Sequence, residues 1–163
     1  MIKYKVAKIS DLNEIVKLWK TYDKEHYKII VKSTPIFKEH YTKITNAKQN
    51  YKEFMSDNIK SKDCKIYLAL DNKKVIGYVL CKIIINIPIF KIKKIGRIMD
   101  LYVKKEYRGQ SISTGLFKLC KIWFKTKNIK HISLGVYPGN KHVHKIYEKW
   151  GFMDYHIEMR KTI

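Results

Sequence analysis

No apolar run of signal-peptide length opens the sequence, which begins MIKYKVAKIS, and none of its segments is long enough to cross a bilayer. The greasiest stretch, residues 75–90, is interrupted by Lys82, Asn86 and Pro88, whereas a spanning helix needs about 20 consecutive apolar residues. A cytoplasmic chain with no membrane partner is therefore expected. Cysteine is scarce: Cys64, Cys81 and Cys120 are odd in number and lack metal-type spacing. That argues against a disulfide framework or a cysteine metal site and suits small apolar fillers in a reducing compartment; no metal is expected. Arginine occurs only at Arg97, Arg108 and Arg160. There is no internal repeat, no low-complexity tract and no block of five or more lysines.

What the chain has in abundance is positive charge, +21 from 35 lysines and arginines against 14 acidic residues. Such an excess is the usual electrostatic footprint of a nucleic-acid binder, so a basic nucleic-acid-binding module is one reading. The lysines run from Lys3 to Lys161 beside plentiful isoleucine, asparagine and tyrosine. This is a chain-wide bias rather than a placed patch, which makes nucleic acid the weaker reading. Polyphosphate ligands would still be drawn to this surface. The 163 residues suit one domain, 1–163, with a continuous core.

Periodicity divides the chain into alternating strands and helices. Residues 2–9 read as a strand, followed by a helix capped at Ser10 or Asp11 with Leu12, Ile15, Val16, Trp19 and Tyr22 at helical spacing. A polar segment, 23–63, contains Pro35 and a second helix near residues 47–59; its Glu25, His26, Tyr27 and Tyr41 either line a site or decorate helices. Residues 64–70 and 75–85 form a hairpin across the turn Asp71–Lys74, and 94–103 a further strand. Ile112, Leu116, Leu119, Cys120 and Trp123 mark one apolar face of the next helix. Within it Gly115 costs about 1 kcal/mol relative to alanine, a cost that some close approach must offset. Residues 131–137 alternate as a strand, giving a βαβ unit whose strands should be parallel. Asn140 is placed to cap a helix bearing Val143, Ile146, Tyr147 and Trp150; Gly151 ends it, and 152–159 reads as a last strand. The class is α/β (α+β), with a mixed, mostly antiparallel sheet flanked by helices.

One stretch organises the rest: Asp100–Leu116, DLYVKKEYRGQSISTGL. It passes from strand through a basic turn into small residues opening a helix. At a helix N-terminus free backbone N–H groups and the positive end of the dipole meet, so an anion is stabilised there without a side-chain charge.

These residues resemble the GNAT superfamily of acetyl-CoA-dependent N-acetyltransferases. DLYV followed by EYRGQSIS at 106–113 is similar to the family's pyrophosphate loop, R/Q-x-x-G-x-G/A, and Asn140 followed by IYEKWGF at 146–152 is similar to its N…LYxKxGF ending. The resemblance covers nearly the whole chain. It implies a sheet whose parallel pair splays around acetyl-CoA as co-substrate, with Leu101, Tyr102 and Val103 pairing with the pantetheine arm. It further implies that the amides of Arg108, Gly109, Gln110, Ser111, Ile112 and Ser113 hold the pyrophosphate, that Arg108 adds charge, and that Asn140 touches the cofactor. Tyr147 falls on the family's frequent general acid; spacing alone favours the core, since it shares the apolar face with Val143 and Ile146. Asp100 is the best-placed carboxylate for a general base, or else a structural hydrogen-bond partner, with His131 a weaker candidate. His142 and His144, two apart on a helix, point to different faces and make no metal site.

The chain departs from the family where Ser111 and Ser113 replace small, mostly glycine positions. A positive φ at the first would cost serine on the order of 1 kcal/mol more than glycine. The implied reaction is direct acetyl transfer to a primary amine, on a small molecule or a protein, by a monomer or homodimer; a CoA-binding pseudoenzyme without turnover is a further alternative.

Overall fold

The computed structural model describes residues 1–161, so the last two residues of the expected domain lie outside it. Among the described residues five strands form one sheet in the order β1 (Ile2–Val6), β2 (Cys64–Asp71), β3 (Lys74–Ile85), β4 (Lys94–Val103), β5 (Ile132–Ser133). The first four are antiparallel neighbours and β4 and β5 are parallel. This is the mixed, mostly antiparallel sheet flanked by helices that the sequence pattern implied.

Two apolar layers sandwich the sheet. On one face α1 (Leu12–Ser33) and α2 (Ala47–Lys60) bury Leu12, Ile15, Leu18 and Met55 against Ile66, Leu68, Tyr78, Leu80 and Tyr102. On the other, α3 (Ile112–Thr126) buries Ile112, Leu116, Phe117, Cys120, Trp123 and Phe124 against Val79, Cys81, Ile98 and Val103. With both faces covered, β3 reads as the nearly unbroken apolar run VIGYVLC rather than as an alternating strand. The three cysteines are free and buried, as fillers should be. Gly115 on α3 has its reason in packing: a side chain there would collide with the hydroxyl of Tyr4, which reaches across from β1. In place of Leu119, Phe117 and Phe124 complete the buried face of α3.

Two expectations are corrected. The strand foreseen at 131–137 is only Ile132–Ser133, because the ladder with β4 stops at Arg97↔Ser133. At that fork Arg97 Nη1 reaches Ser133 Oγ at 3.5 Å, and its Nη2 stands 3.3 Å from where a side chain on Gly135 would begin. The last strand, 152–159, does not form. Its apolar residues alternate, but Met153, Tyr155, Ile157 and Met159 all project into solvent. Among the described residues no backbone hydrogen bond joins 153–161 to the sheet. Alternation supplies a face, not a partner, and a strand needs both.

Between them, α4 (Lys141–Lys149) ends at Gly151, whose φ is +88° as a left-handed cap requires. Trp150 stacks on Phe117 with ring centroids 4.5 Å apart, while Gly139, just before α4, packs on Ser33 at the end of α1. This helix therefore bridges the two layers beside the opened edge of the sheet.

Candidate active site

The opened edge is a consequence of the fork. Beyond Arg97 only β3 pairs with β4, so the opposite backbone edge from 98 to 103 has no strand partner among the described residues. Lys104 N–H donates to Ile76 O at 2.9 Å on the β3 side. In an extended chain that turns the carbonyl of Val103 the other way, into the fork. Leu101 and Val103 thus present peptide groups there, as an amide-bearing ligand arm would require. Arg108 already uses one: its Nε donates to Val103 O at 3.0 Å.

The turn that follows is a nest of backbone amides. Gly109 has φ +78° and Ser111 φ +57°, ψ +15°, and successive amides about left-handed residues converge on one side to form an anion-binding concavity. The first backbone bond of α3 is Gly115 N–H to Ser111 O at 3.0 Å. The amides of Ile112, Ser113 and Thr114 lie ahead of it and have no intrahelical acceptor. Among the described residues none of the amides from 109 to 114 donates to a protein group. Gly109 has nothing within 4 Å of a would-be side chain, so the approach is open. Ser111 makes no capping hydrogen bond, hence its hydroxyl does not compensate the left-handed backbone. These features fit a pyrophosphate.

Arg108 does not point into that nest. Its Nη2 pairs with Glu25 Oε2 at 2.5 Å, its guanidinium lies 5.5 Å from the Tyr102 ring centroid, and Tyr102 Oη donates to Glu25 Oε1 at 3.1 Å. Glu25 on α1 thereby ties the turn to the helix layer. Burial, with the Glu25 charge, pushes the Tyr102 phenol up to about 12.

Strand alternation puts Asp100 and Tyr102 under α1 and α2, and Leu101 and Val103 under α3. Asp100 Oδ2 accepts from Tyr51 Oη at 3.1 Å, and the Tyr51 and Tyr78 hydroxyls are themselves 3.1 Å apart. Burial raises the Asp100 carboxyl above its ordinary range, against the two tyrosine hydrogen bonds that lower it. Asp100 is consequently both a held hydrogen-bond acceptor and a carboxylate disposed to take up a proton. Its charge is felt at Tyr147 on α4, whose phenol is pushed up to about 12, first by burial and then by Asp100. The ring of Tyr147 also packs on Trp150 and Phe152, with centroids 5.6 and 6.0 Å away. The ring is thus packed, and the phenol is close enough to Asp100 to be raised by its charge.

The remaining candidates divide clearly. Asn140 heads α4, but its side chain makes no cap; its backbone carries the turn through Asn140 N–H to Tyr137 O at 2.8 Å. His131 is exposed, and its carbonyl accepts from Gly96 N–H. It lies before the fork, four residues along β4 from Asp100. His144 faces Asp154 at 2.7 Å on the outer surface.

Sequence reading leaves His26 and Tyr41 as either site-lining or surface residues and does not foresee the aromatic wall they build with Tyr22 and Tyr137. Tyr22 stacks on His26 with centroids 5.0 Å apart, His26 meets Tyr137 edge-on at 4.9 Å, and Tyr41 meets Tyr137 at 5.7 Å. Trp19 stacks on Tyr51 at 4.3 Å. Of the four residues singled out in 23–63, His26 and Tyr41 join this wall, and Glu25 instead holds Arg108 and Tyr102. The one available signal was that Tyr22 and His26 sit one helical turn apart.

The family model for acetyltransferase (GNAT) family proteins matches residues 24–152, from the second half of α1 past α4. The chain belongs to the GNAT family. N-alpha-acetyltransferase 30 of Schizosaccharomyces pombe is 34% identical over 89 residues, 55% of this chain and 57% of that protein. The chain thus matches little more than half the length of that curated relative. Among solved structures, the BH1408 protein of Bacillus halodurans superposes with a TM-score of 0.82 at 18% identity, covering 99% of both chains. A predicted acetyltransferase of Clostridium acetobutylicum, solved with acetyl-CoA, gives 0.75 at 19% identity over 99% of this chain and 96% of that one. An aminoglycoside 6'-N-acetyltransferase of Acinetobacter haemolyticus gives 0.73 at 15%, covering 99% of both. At these identities the likeness is one of fold, and the fold is that of GNAT acetyltransferases.

Proposed function

We propose that this GNAT acetyltransferase is a single-domain enzyme that uses acetyl-CoA and transfers acetyl directly to a primary amine in a ternary complex. The observation carrying the reading is that an unpaired strand edge at Leu101 and Val103 runs directly into a nest of free amides at 109–114. Leu101 and Val103 would hold the pantetheine amides, and the amides of residues 109–114 the pyrophosphate. Bound there, acetyl-CoA supplies an activated acetyl group whose thioester an amine attacks, giving an acetamide and a departing thiolate.

Tyr147 keeps its proton at neutral pH, since its phenol lies near 12, and would stabilise the departing sulfur by a hydrogen bond as the carbon–sulfur bond breaks. A free thiol has a pKa of about 8.5, so complete transfer from this phenol is uphill, and the thiolate leaves hydrogen-bonded to Tyr147 and takes its proton from solvent. Asp100, with a raised carboxyl, accepts the proton lost by the amine, directly or through a water. The aromatic wall of Tyr22, His26, Tyr41 and Tyr137 faces the acceptor and selects among amines by shape and stacking. Both a small-molecule amine and a protein amine fit this reading, and a cytoplasmic monomer or homodimer is the form proposed.

Calorimetry with acetyl-CoA is the first test. Saturable binding is expected, and none at millimolar concentration would refute the reading. With an accepted amine, Tyr147→Phe should lower kcat by about 10²-fold or more while leaving cofactor affinity unchanged. An unaltered kcat would return Tyr147 to a packing role.

A further inference from the structure

At the opposite end of β4 from the active site, the β3–β4 hairpin overhangs the sheet. β2 pairs with β3 only as far as Cys64↔Lys82, and β5 joins β4 only from Gly96. Residues 83–95 therefore run beyond both neighbouring strands as a two-stranded arm, with Ile84↔Ile95 and Ile85↔Lys94 its outermost pairs. The tip is braced: Asn86 N–H donates to Lys93 O at 2.9 Å, Asn86 Nδ2 to Ile92 O at 3.0 Å, and Lys93 Nζ to Pro88 O at 2.6 Å.

This ordered tip is apolar and bare. Ile85 is 84% exposed and Ile89 80%, and Ile87, Phe90 and Ile92 are exposed as well. Five large apolar side chains within eight residues exceed the scatter of single hydrophobics on an ordinary surface. Around them lies charge of one sign. Lys82, Lys91, Lys93 and Lys94 are exposed, and no acidic residue occurs between Asp71 and Asp100. Gly96 N–H donates to His131 O at 2.9 Å, which brings the exit of α3, with exposed Lys125, Lys127 and Lys130, to the base of the arm. Asp63, whose carbonyl accepts from Ile83 N–H at 2.7 Å, is the carboxylate at that base.

We infer that this arm seats the protein on an anionic lipid surface, with the isoleucines and Phe90 entering the headgroup–acyl boundary and the lysines resting on the phosphates. An apolar point collared by lysine is the composition of an interfacial anchor. Three strand positions beyond Lys82 extend about 10 Å, within the depth such anchors reach. A second copy of this chain fits less well, because pairing two tips would bring two lysine collars together. A protruding tip also has no groove for a partner's side chains. The earlier expectation of no membrane partner rested on the lack of a spanning segment, which a surface anchor does not need. The inference does not rest on the acetyl-transfer reading.

The test is co-sedimentation of the full chain with vesicles of phosphatidylcholine alone and with about 30% phosphatidylserine. Each lysine held at an anionic surface raises partitioning about fivefold, so the anionic vesicles should bind at least about tenfold more protein. The variant Ile89→Asn/Phe90→Asn alters no charge and should lose about tenfold of that binding while keeping the acetyl-CoA affinity of the unmodified chain. In Ile89→Trp the new indole should be quenched by brominated lipid. Equal binding of unmodified and asparagine variants, both abolished by salt, would mean diffuse lysine attraction and overturn the proposal. So would absence of binding, or a tip-dependent dimer in analytical ultracentrifugation.

Discussion

Replacing Ser111 with glycine isolates the one backbone position where this chain departs from its family in a way that structure can weigh. Ser111 sits at φ +57°, ψ +15°, a left-handed conformation that costs a residue with a Cβ about 1–2 kcal/mol. Its hydroxyl makes no cap and the side chain is exposed, so removing it forfeits no contact. Glycine returns about 0.4–1 kcal/mol through the greater freedom of its unfolded chain. The net expectation is a gain of about 0.5–1 kcal/mol, or roughly 1–4 °C in Tm for a domain of this size. Because glycine adopts the same left-handed turn and leaves the nest amides where they are, the relief should appear in folding and not in binding. Differential scanning calorimetry should show the rise, while titration with acetyl-CoA gives a Kd unchanged within about twofold. A lowered Tm would refute the strain reading. A Kd about fivefold tighter with Tm unmoved would show instead that the turn becomes left-handed only on binding.

Gly115→Ala should destabilise although alanine is the better helix former by about 1 kcal/mol, since overpacking against Tyr4 costs about 1–3 kcal/mol; thermal melts should recover when Tyr4→Leu is added, and a stabilised single variant would refute the contact. Asp100 has a folded pKa raised above its unfolded one, so its contribution is fully present below the unfolded carboxylate range and is lost as pH rises through the folded value. Asp100→Asn escapes this loss, so its Tm relative to the unmodified chain should climb across weakly acidic pH and then level off; a flat difference would mean the carboxyl is not perturbed. His144 titrates above its ordinary value because of its hydrogen bond to Asp154, and the raised value means the tie to the 153–161 segment is complete at acid pH and released as pH rises. NMR titration should place His144 lower in Asp154→Asn, and no difference would exclude that contact.

How much of this was legible beforehand follows from the range of the forces involved. Helix α2, the β2–β3 hairpin and α3 were readable because their periodicity, caps and turns are local properties of a dozen residues. The 152–159 segment has the same strand-like alternation, yet it forms no ladder, because the partner it needs is spent after two residues of β5. Ser111 likewise gave a conditional: its size was visible, its sign of φ was not. Leu101 and Val103 could be nominated by resemblance, but their open edge exists only because the parallel pairing stops at Arg97↔Ser133.

By itself the sequence determined the order of elements, the two family motifs and the abundance of lysine, all written in neighbouring residues. Only the tertiary structure decided that Glu25 holds Arg108 across 83 positions and that Asp100 accepts from Tyr51. It also decided that five apolar residues of a hairpin remain uncovered beyond the sheet. Each is a meeting of residues distant in the chain, and which distant surfaces meet is settled by packing both faces of one sheet at once.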